Sequence, residues 1–473
     1  MMRAVFVILS CFSLHIASAQ FPNVVYINVD DLGYRDLGFM GSAYYETPNL
    51  DQLAAEGRIF TQAYAGAANC APSRACLLSG MNTPRHGIYT VANSDRGETR
   101  TRKIIPTSNQ TVLADSVYTL AEMFQNQGYA TGTFGKWHLG DDPTTQGFEV
   151  NVAGSQRGNP GKNGYFSPYN VNHLPDGPEG EYLTDRLTTE AINFLQANQE
   201  KPFFLYLPYY TVHTPLIGKE DLIKRFEIKE ASFGQDNPVY AAMVASLDEN
   251  VGRLLTEIDR LQLRENTIIV FTSDNGGIRD VSYQDPLRAG KGSYYEGGIR
   301  VPLVIRWPGE VEPRTTCDTP VSNLDFYPTF QGILNIQLKH QQPPDGVSII
   351  PLLTGDEIAE RPLYWHFPIY LQAYNSKEDG GRDPLFRTRP GSVVRLGDWK
   401  LHHYYEDDSI ELYNLREDLG ETLNVAERYP KVKNKLHQLL VDWLEDHQAE
   451  PTFPQNPDYD HAFEQRRKAE VFQ

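Results

Sequence analysis

Short apolar runs alternate along this chain with stretches in which apolar residues recur at helical spacing. The runs at residues 23–29 (NVVYINV), 202–207 (PFFLYL) and 267–271 (TIIVF) are rich in β-branched and aromatic residues, which is typical of buried strands. Apolar residues from Tyr240 to Ile258 keep the spacing of one face of a long helix. This alternation predicts an α/β fold, with a largely parallel sheet covered by helices on both faces.

The remaining pattern divides the chain into a larger and a smaller part. Further strands are predicted at residues 58–64, 129–134 and 301–305, and further helices at residues 48–57 and just before Gly128. Beyond them, short antiparallel strands are predicted at residues 392–396, 399–405 and 410–413, followed by an amphipathic helix at 432–447. We therefore predict a large α/β domain at residues 20–360 and a smaller α+β domain at residues 361–473.

Polar residues follow the predicted strands at the point where each strand ends. Asp30 and Asp31 come after the first strand, His213 follows the strand at 202–207, and Asp274 and Asn275 follow the strand at 267–271. Open α/β sheets place their active sites at the carboxyl ends of the strands. We therefore expect these distant residues to meet at one edge of the sheet.

The four residues at 30, 31, 274 and 275 all offer oxygen ligands. Either pair alone is more typical of a solvated turn after a strand. Two such pairs at the ends of two strands favour a metal site, and oxygen ligands without sulfur or imidazole favour a hard cation. Calcium is preferred to magnesium, because several protein ligands converge.

The beginning of the chain has the pattern of an export signal. Arg3 precedes an apolar stretch at residues 4–16, and small residues at 17–19 fit a cleavage site. The stretch is shorter than the roughly 20 residues that a membrane-spanning helix needs, and no later segment is long enough. We predict a signal peptide at residues 1–19 and a secreted or periplasmic protein. A lipoprotein signal at Cys11 fits less well, because this cysteine lies inside the apolar stretch.

Charge and cysteine content narrow the function classes. The formal net charge is −18, so general nucleic-acid binding is not expected, and an anionic substrate would need a local basic cluster. Three cysteines remain beyond the predicted signal: Cys70, Cys76 and Cys317. They are too few for a disulfide scaffold, and a single bridge would leave one thiol over.

Cys70 opens a segment with a distinctive pattern, CAPSR followed by Ser79 and Gly80. Pro72 begins a predicted helix and Gly80 ends it, so Cys70 lies at a helix N-terminus, which favours anions. From this position alone, a half-buried structural cysteine, alone or bridged to Cys76, is the favoured interpretation.

The CxPSR segment with its following glycine resembles the signature of the type I sulfatases of the alkaline phosphatase superfamily. Ser79 stands where that signature usually has threonine. The resemblance implies an alkaline-phosphatase-like fold and oxidation of Cys70 to formylglycine by a formylglycine-generating or equivalent maturation enzyme. It also implies one Ca²⁺ ion bound by the residue made from Cys70 together with Asp30, Asp31, Asp274 and Asn275.

The resemblance extends to a mechanism, in which one hydroxyl of the hydrated aldehyde attacks sulfur and forms a formylglycine sulfate ester. The second hydroxyl then loses its proton and sulfate is expelled. Arg74 is expected to hold the hydrated aldehyde. The GKWHLG segment at 135–140 matches a family motif in which Lys136 binds sulfate and His138 handles the aldehyde-diol proton. His213 matches the acid for the leaving oxygen, and Lys291 matches the lysine that bridges sulfate and leaving group.

The export signal and the aromatic-rich loops suit a sulfated carbohydrate as substrate. The chain resembles bacterial sulfatases that act on marine algal polysaccharides, and this resemblance implies ulvan or carrageenan oligosaccharides. Residues 154–181 are expected to shape the pocket, with Arg157 and His173 as candidate contacts to the sugar. Two alternatives stay open. The first is a formylglycine-dependent phosphodiesterase or phosphonate monoester hydrolase. The second is a non-catalytic binder of sulfated glycan, if Cys70 is unmodified.

Overall fold

The structure is a computed structural model that describes residues 21–161, 163–337, 342–449 and 451–472. The predicted signal peptide at residues 1–19 lies outside the described residues. The strands are β1 Asn23–Val29, β2 Arg58–Phe60, β3 Ala63–Tyr64, β4 Ala130–Phe134, β5 Val150–Val152, β6 Phe203–Pro208, β7 Thr267–Ser273, β8 Arg300–Val301, β9 Leu303–Arg306, β10 Thr315–Cys317, β11 Val321–Ser322, β12 Leu363–Phe367, β13 Leu371–Gln372, β14 Phe386–Thr388, β15 Gly391–Leu396, β16 Trp399–Tyr404 and β17 Ser409–Asn414.

Helices occur both among the strands of the large sheet and in the terminal region. They are α1 Pro48–Ala55, α2 Cys70–Ser79, α3 Thr83–His86, α4 Leu120–Gln125, α5 Leu183–Ala197, α6 Glu220–Glu227, α7 Pro238–Arg260, α8 Glu296–Ile299, α9 Phe326–Ile333, α10 Ile350–Thr354, α11 Pro430–Asp446 and α12 His461–Val471. Short 3₁₀ segments lie at Gly38–Met40, Thr99–Thr101, Pro143–Gln146, Arg264–Asn266 and Asn323–Asp325.

The large sheet has the strand order β10-β2-β9-β7-β1-β6-β4-β5, and its centre is parallel. Every residue of β1, β6 and β7 is buried, as expected for strands covered on both faces. Val25 and Ile27 pack into the hydrophobic cluster that contains the apolar face of α7, whereas Val24 and Tyr26 pack into the cluster on the opposite face. This alternation of side chains along β1 places helices on both sides, so the predicted fold class is confirmed.

Two strands differ from the sequence expectation. The run at 58–64 is not one strand: β2 joins the large sheet, whereas β3 pairs with β8 and β11 in a separate small sheet. The strand predicted at 301–305 is also divided: Val301 belongs to β8 of the small sheet, and residues 303–305 belong to β9, which runs antiparallel to both β2 and β7. Strand direction depends on the path of the chain between strands, which local apolar pattern does not encode.

The terminal region forms an antiparallel sheet of order β12-β15-β16-β17. Leu401 and Leu412 on one face of this sheet pack against Leu440 of α11. The opposite face contributes Trp365 and Val393 to a cluster shared with the large domain. The sheet lies wholly after residue 360, although the domain boundary itself stays a prediction. The described residues include no helix that is both long and apolar enough to cross a bilayer.

Candidate active site

The carboxyl ends of β1 and β7 lie side by side, because these strands pair in parallel register. The Asp274 amide donates to the Val29 carbonyl at 3.0 Å, and the Asp30 amide donates to the Thr211 carbonyl at 3.0 Å. Main-chain pairing therefore continues just past the strands and fixes the positions of the acidic residues. Asp31 adopts a left-handed conformation, with φ of 61°.

The predicted metal ligands converge around Cys70 at the start of α2. Candidate ligand atoms of Asp30, Asp31, Cys70 and Asp274 all lie within 4.8 Å of one another. The Asn275 amide nitrogen donates to Asp31 Oδ1 at 2.8 Å, and its buried Oδ1 has no hydrogen-bond partner among the described residues. Three buried carboxylates beside an unpartnered amide oxygen form a donor set that fits a hard divalent cation.

Arg74 lies one helical turn after Cys70 and is fully buried. Its Nε donates to Asp274 Oδ2 at 2.9 Å, and its Nη1 donates to the Lys136 carbonyl at 2.8 Å. Its Nη2 lies 4.0 Å from Asp30 Oδ1. The guanidinium therefore joins the acidic cluster to the loop after β4.

Two lysines complete a basic cluster opposite the carboxylates. Lys136 Nζ lies 2.7 Å from Asp30 Oδ2, and Lys291 Nζ lies 2.6 Å from Asp31 Oδ2. Burial would lower the pKa of each amino group, but the paired aspartate outweighs burial and leaves both pKa values raised. Both side chains are therefore cationic at neutral pH.

The acidic side of the site carries opposing pKa shifts. Burial would raise the pKa of Asp31, but Lys291, with His213 and Lys136, holds it below its usual range. Burial raises the pKa of Asp274 against the effect of Arg74. Burial and the Asp30 charge raise the pKa of the Cys70 thiol to about 12, so an unmodified Cys70 is a poor nucleophile in this setting.

Two histidines approach the same centre. Burial and then Lys291 lower the pKa of His213 to about 3, and its Nδ1 lies 2.6 Å from the Thr214 carbonyl. Because that carbonyl only accepts, Nδ1 carries the proton of the neutral ring and Nε2 is free, 3.7 Å from Asp31 Oδ2. Burial and the neighbouring Lys136 lower the pKa of His138, whose buried Nδ1 has no partner within the described ranges.

An open cavity of about 620 Å³ has His213 in its lining. Its lining includes Arg157, Asn159 and Gly161 from the predicted pocket segment, and Thr214 and Pro215. His173, the other candidate from that segment, is exposed and does not line this cavity. Arg157 therefore lies beside the site, whereas His173 does not.

Sequence reasoning missed a residue that positions His213. The Tyr165 hydroxyl lies 2.7 Å from the carbonyls of both Tyr210 and His213. Tyr165 belongs to the aromatic segment expected to shape the pocket, but no motif singles it out. Gly135, which opens the GKWHLG segment, lies so close to β6 that a Cβ there would be 2.1 Å from the Pro208 carbonyl oxygen.

The cysteines form no bridge among the described residues. Cys70, Cys76 and Cys317 are all free thiols, and Cys76 Sγ lies 3.5 Å from His86 Nε2. The possible bridges from Cys76 to Cys70 or to Cys317 are therefore not made.

Comparison with known proteins adds a family context to this geometry. A family model described as Sulfatase matches residues 22–336, and one described as N-sulphoglucosamine sulphohydrolase, C-terminal, matches residues 290–446. A relative from Formosa agariphila described as Sulfatase is 32% identical, covering 89% of this chain and 89% of its own length. The N-acetylgalactosamine-6-O-sulfatase of Bacteroides thetaiotaomicron is 28% identical, covering 89% of this chain and 93% of its own. The solved structure of Ps i-CgsB in complex with k-i-k-neocarrahexaose is 29% identical, with a TM-score of 0.73 and coverage of 95% and 98%.

Proposed function

The chain belongs to the sulfatase family and is a sulfuric ester hydrolase, and on that premise we propose that it desulfates a carbohydrate with Cys70, as formylglycine, for its nucleophile. The observation that carries the proposal is the convergence of residue 70, three carboxylates and three cationic side chains at one sheet edge. The basic cluster of Arg74, Lys136 and Lys291 supplies the local attraction for an anion that the chain, at net charge −18, otherwise lacks.

Residues 30, 31, 274 and 275 would hold the Ca²⁺ ion together with the residue made from Cys70. The cation polarises the sulfate oxygens and orients the nucleophile when it is bound. Lys136 and Lys291 balance the negative charge of the transferring sulfuryl group, since both are cationic and buried. Arg74 holds the hydrated side chain at position 70, from one turn along α2.

The two histidines move protons. His213 is the acid for the leaving alcohol, which requires a proton on Nε2. Burial and Lys291 lower the pKa of this ring, and the negative charge of the bound ester favours its protonation against both. His138 is neutral and has a free ring nitrogen, so it accepts the proton of the second hydroxyl when sulfate is expelled.

The proposed substrate is a sulfated polysaccharide, first the galactan carrageenan as oligosaccharides and next ulvan oligosaccharides. One similar protein is named for a sulfated galactosamine and another is solved with a neocarrahexaose. The cavity beside His213 is wide enough for a sugar ring, and Arg157 on its wall is a candidate contact. Export of the chain through residues 1–19 to the periplasm or beyond forms part of the same proposal.

Sulfate release from defined oligosaccharides tests the proposal, with Cys70→Ala as the control that cannot form the aldehyde. We expect desulfation of at least one sulfated oligosaccharide, none by Cys70→Ala, and a residue-70 peptide lighter by about 18 Da in protein from a maturing host. A preference for aryl phosphodiesters over aryl sulfates would overturn the reaction class. Activity on aryl sulfate without any activity on the sugar panel would overturn the carbohydrate assignment.

A further inference from the structure

Two arginines and an exposed tyrosine lie beside the active site without a role in the mechanism. Arg96 is in the loop after α3, and Tyr374 and Arg387 belong to the β13–β14 region of the terminal domain. We call these three residues the Arg96 patch.

The terminal domain fixes the loop that carries Arg96. Asp95 and Tyr370 form an isolated parallel β-bridge, in which the Tyr370 amide donates to the Ser94 carbonyl at 2.7 Å. Gly97 has φ of 88°, and a Cβ there would lie 2.6 Å from the Phe386 ring. The loop is therefore pressed against β13 and β14, with Arg96 held between two anchored residues.

Arg387 joins this patch to the catalytic loop. Its Nη1 donates to the Lys291 carbonyl at 3.0 Å, and its Nε donates to the Gln372 carbonyl at 3.0 Å. The guanidinium carbon lies 3.3 Å from the centroid of the Tyr374 ring. The tyrosine is thus stacked on one side by a cation, while 53% of its surface is exposed.

The patch carries positive charge, and the Asp379 carboxylate that interacts with Arg387 lies beyond ion-pair distance. Arg387 is only 5% exposed, yet neither it nor Arg96 has an ion pair in the part of the chain that the structure describes. Buried and half-buried charges are normally paired, so two arginines without an ion-pair partner are available to bind an anion. Burial lowers the pKa of Arg96, with Tyr374 and Cys70 opposing this shift and Arg387 adding to it. The geometric link from the patch to the catalytic loop is the hydrogen bond from Arg387 to the Lys291 carbonyl.

We propose that the Arg96 patch is a subsite for a second anionic group of the oligosaccharide, next to the ester that is cleaved. This inference rests on the proposed carbohydrate substrate. Arg96 binds the second sulfate or a uronate carboxylate through its free guanidinium nitrogens, and the neighbouring sugar ring stacks on the open face of Tyr374. Arg387 adds its buried charge from behind the tyrosine.

Steady-state kinetics on paired substrates test the subsite. The probes are a monosulfated oligosaccharide, its disulfated form, a monosulfated oligosaccharide with a uronate neighbour, and an aryl sulfate. For Arg96→Gln we expect kcat/KM on the disulfated form to fall about 10- to 100-fold, mostly through KM, because a charge-assisted contact is lost. On the monosulfated form and the aryl sulfate the change should stay within about twofold of wild type. A fall on the uronate substrate instead of the disulfated one assigns the subsite to a carboxylate.

Matched variants separate binding from folding. Arg260→Gln removes the same charge at the end of α7, near the amino end of β7 and so at the opposite edge of the sheet, and should leave all four substrates unchanged. Tyr374→Phe should retain sugar binding, whereas Tyr374→Ala should raise KM. Equal losses by Arg96→Gln on all substrates, or none on any, would overturn the subsite. If wild type cleaves the aryl sulfate but no sugar, the carbohydrate proposal itself fails.

Discussion

Lys400 of the terminal sheet is fully buried, with its Nζ 2.9 Å from Glu296 Oε1. Glu296 begins α8, five residues after Lys291. Lys400 Nζ also lies 3.0 Å from Glu421 Oε1. The terminal domain therefore stabilises the loop before α8, which carries Lys291, the candidate sulfate-binding lysine.

Replacement of this lysine should uncouple the two domains. We expect Lys400→Met to lower the free energy of unfolding by about 3–5 kcal/mol, because Glu421 and Glu296 lose a shared buried cation and, among the described residues, only Glu296 keeps an arginine partner, Arg300. Urea unfolding checks this, with Lys224→Met as a control, since Lys224 is two-thirds exposed in a surface pair. A loss of less than about 1 kcal/mol would contradict a structural role for Lys400.

Removal of divalent metal should lower both stability and activity. Chelation should reduce the melting temperature by several degrees, and Ca²⁺ should restore it better than Mg²⁺, because bound metal stabilises the fold by mass action. Asn275→Ala should weaken this calcium-dependent shift, since it removes one oxygen ligand. Identical melting curves with and without chelator would argue against the site.

The two glycines that flank β4 offer a paired test of local geometry. Both have positive φ, but a Cβ at Gly128 meets open space, whereas one at Gly135 meets the Pro208 carbonyl. We expect Gly128→Ala to cost about 1–2 kcal/mol, and Gly135→Ala about 3 kcal/mol or more. Gly135→Ala should also lower kcat/KM, because Lys136 follows directly. Similar losses for the two variants would show that backbone conformation alone sets the cost.

His447 should make stability depend on pH. Burial lowers its pKa, but Asp345 and the Trp443 carbonyl outweigh burial and raise it above the usual value. A raised pKa means that the folded state binds the proton more tightly than the unfolded state. The contribution is therefore complete below pH 6.5 and is lost as pH rises through the folded pKa.

Chemical denaturation across this pH range measures the contribution, which should be about 1 kcal/mol or less for a partly exposed pair. His447→Gln should flatten the profile at its alkaline side. His461→Gln, at an exposed position, should leave the profile unchanged. A profile that keeps its slope in His447→Gln would assign the dependence to another group.

The centre of the fold could be predicted from the sequence, because β1, β6 and β7 are continuous apolar runs that suit a sheet buried on both faces. Asp30 and Asp274 converge because the carboxyl ends of neighbouring parallel strands lie at the same edge of a sheet, and the structure brings the two residues together. Pairing partners are set by tertiary contacts instead, so the split between β2 and β3 had no local signal. Arg96 and Arg387 were missed for the same reason, since a lone arginine in a loop has no distinguishing neighbours in sequence.

The burial of α2 constrains when residue 70 can be chemically altered. Cys70 is 1% exposed, and every residue of its helix is buried. Its neighbour Arg74 is held by Asp274, which lies 200 residues further along the chain. An enzyme that converted Cys70 would therefore have to act on the nascent or unfolded polypeptide, before the strand that precedes Asp274 is in place. Substitutions that accelerate folding would then reduce the converted fraction while leaving the finished architecture intact.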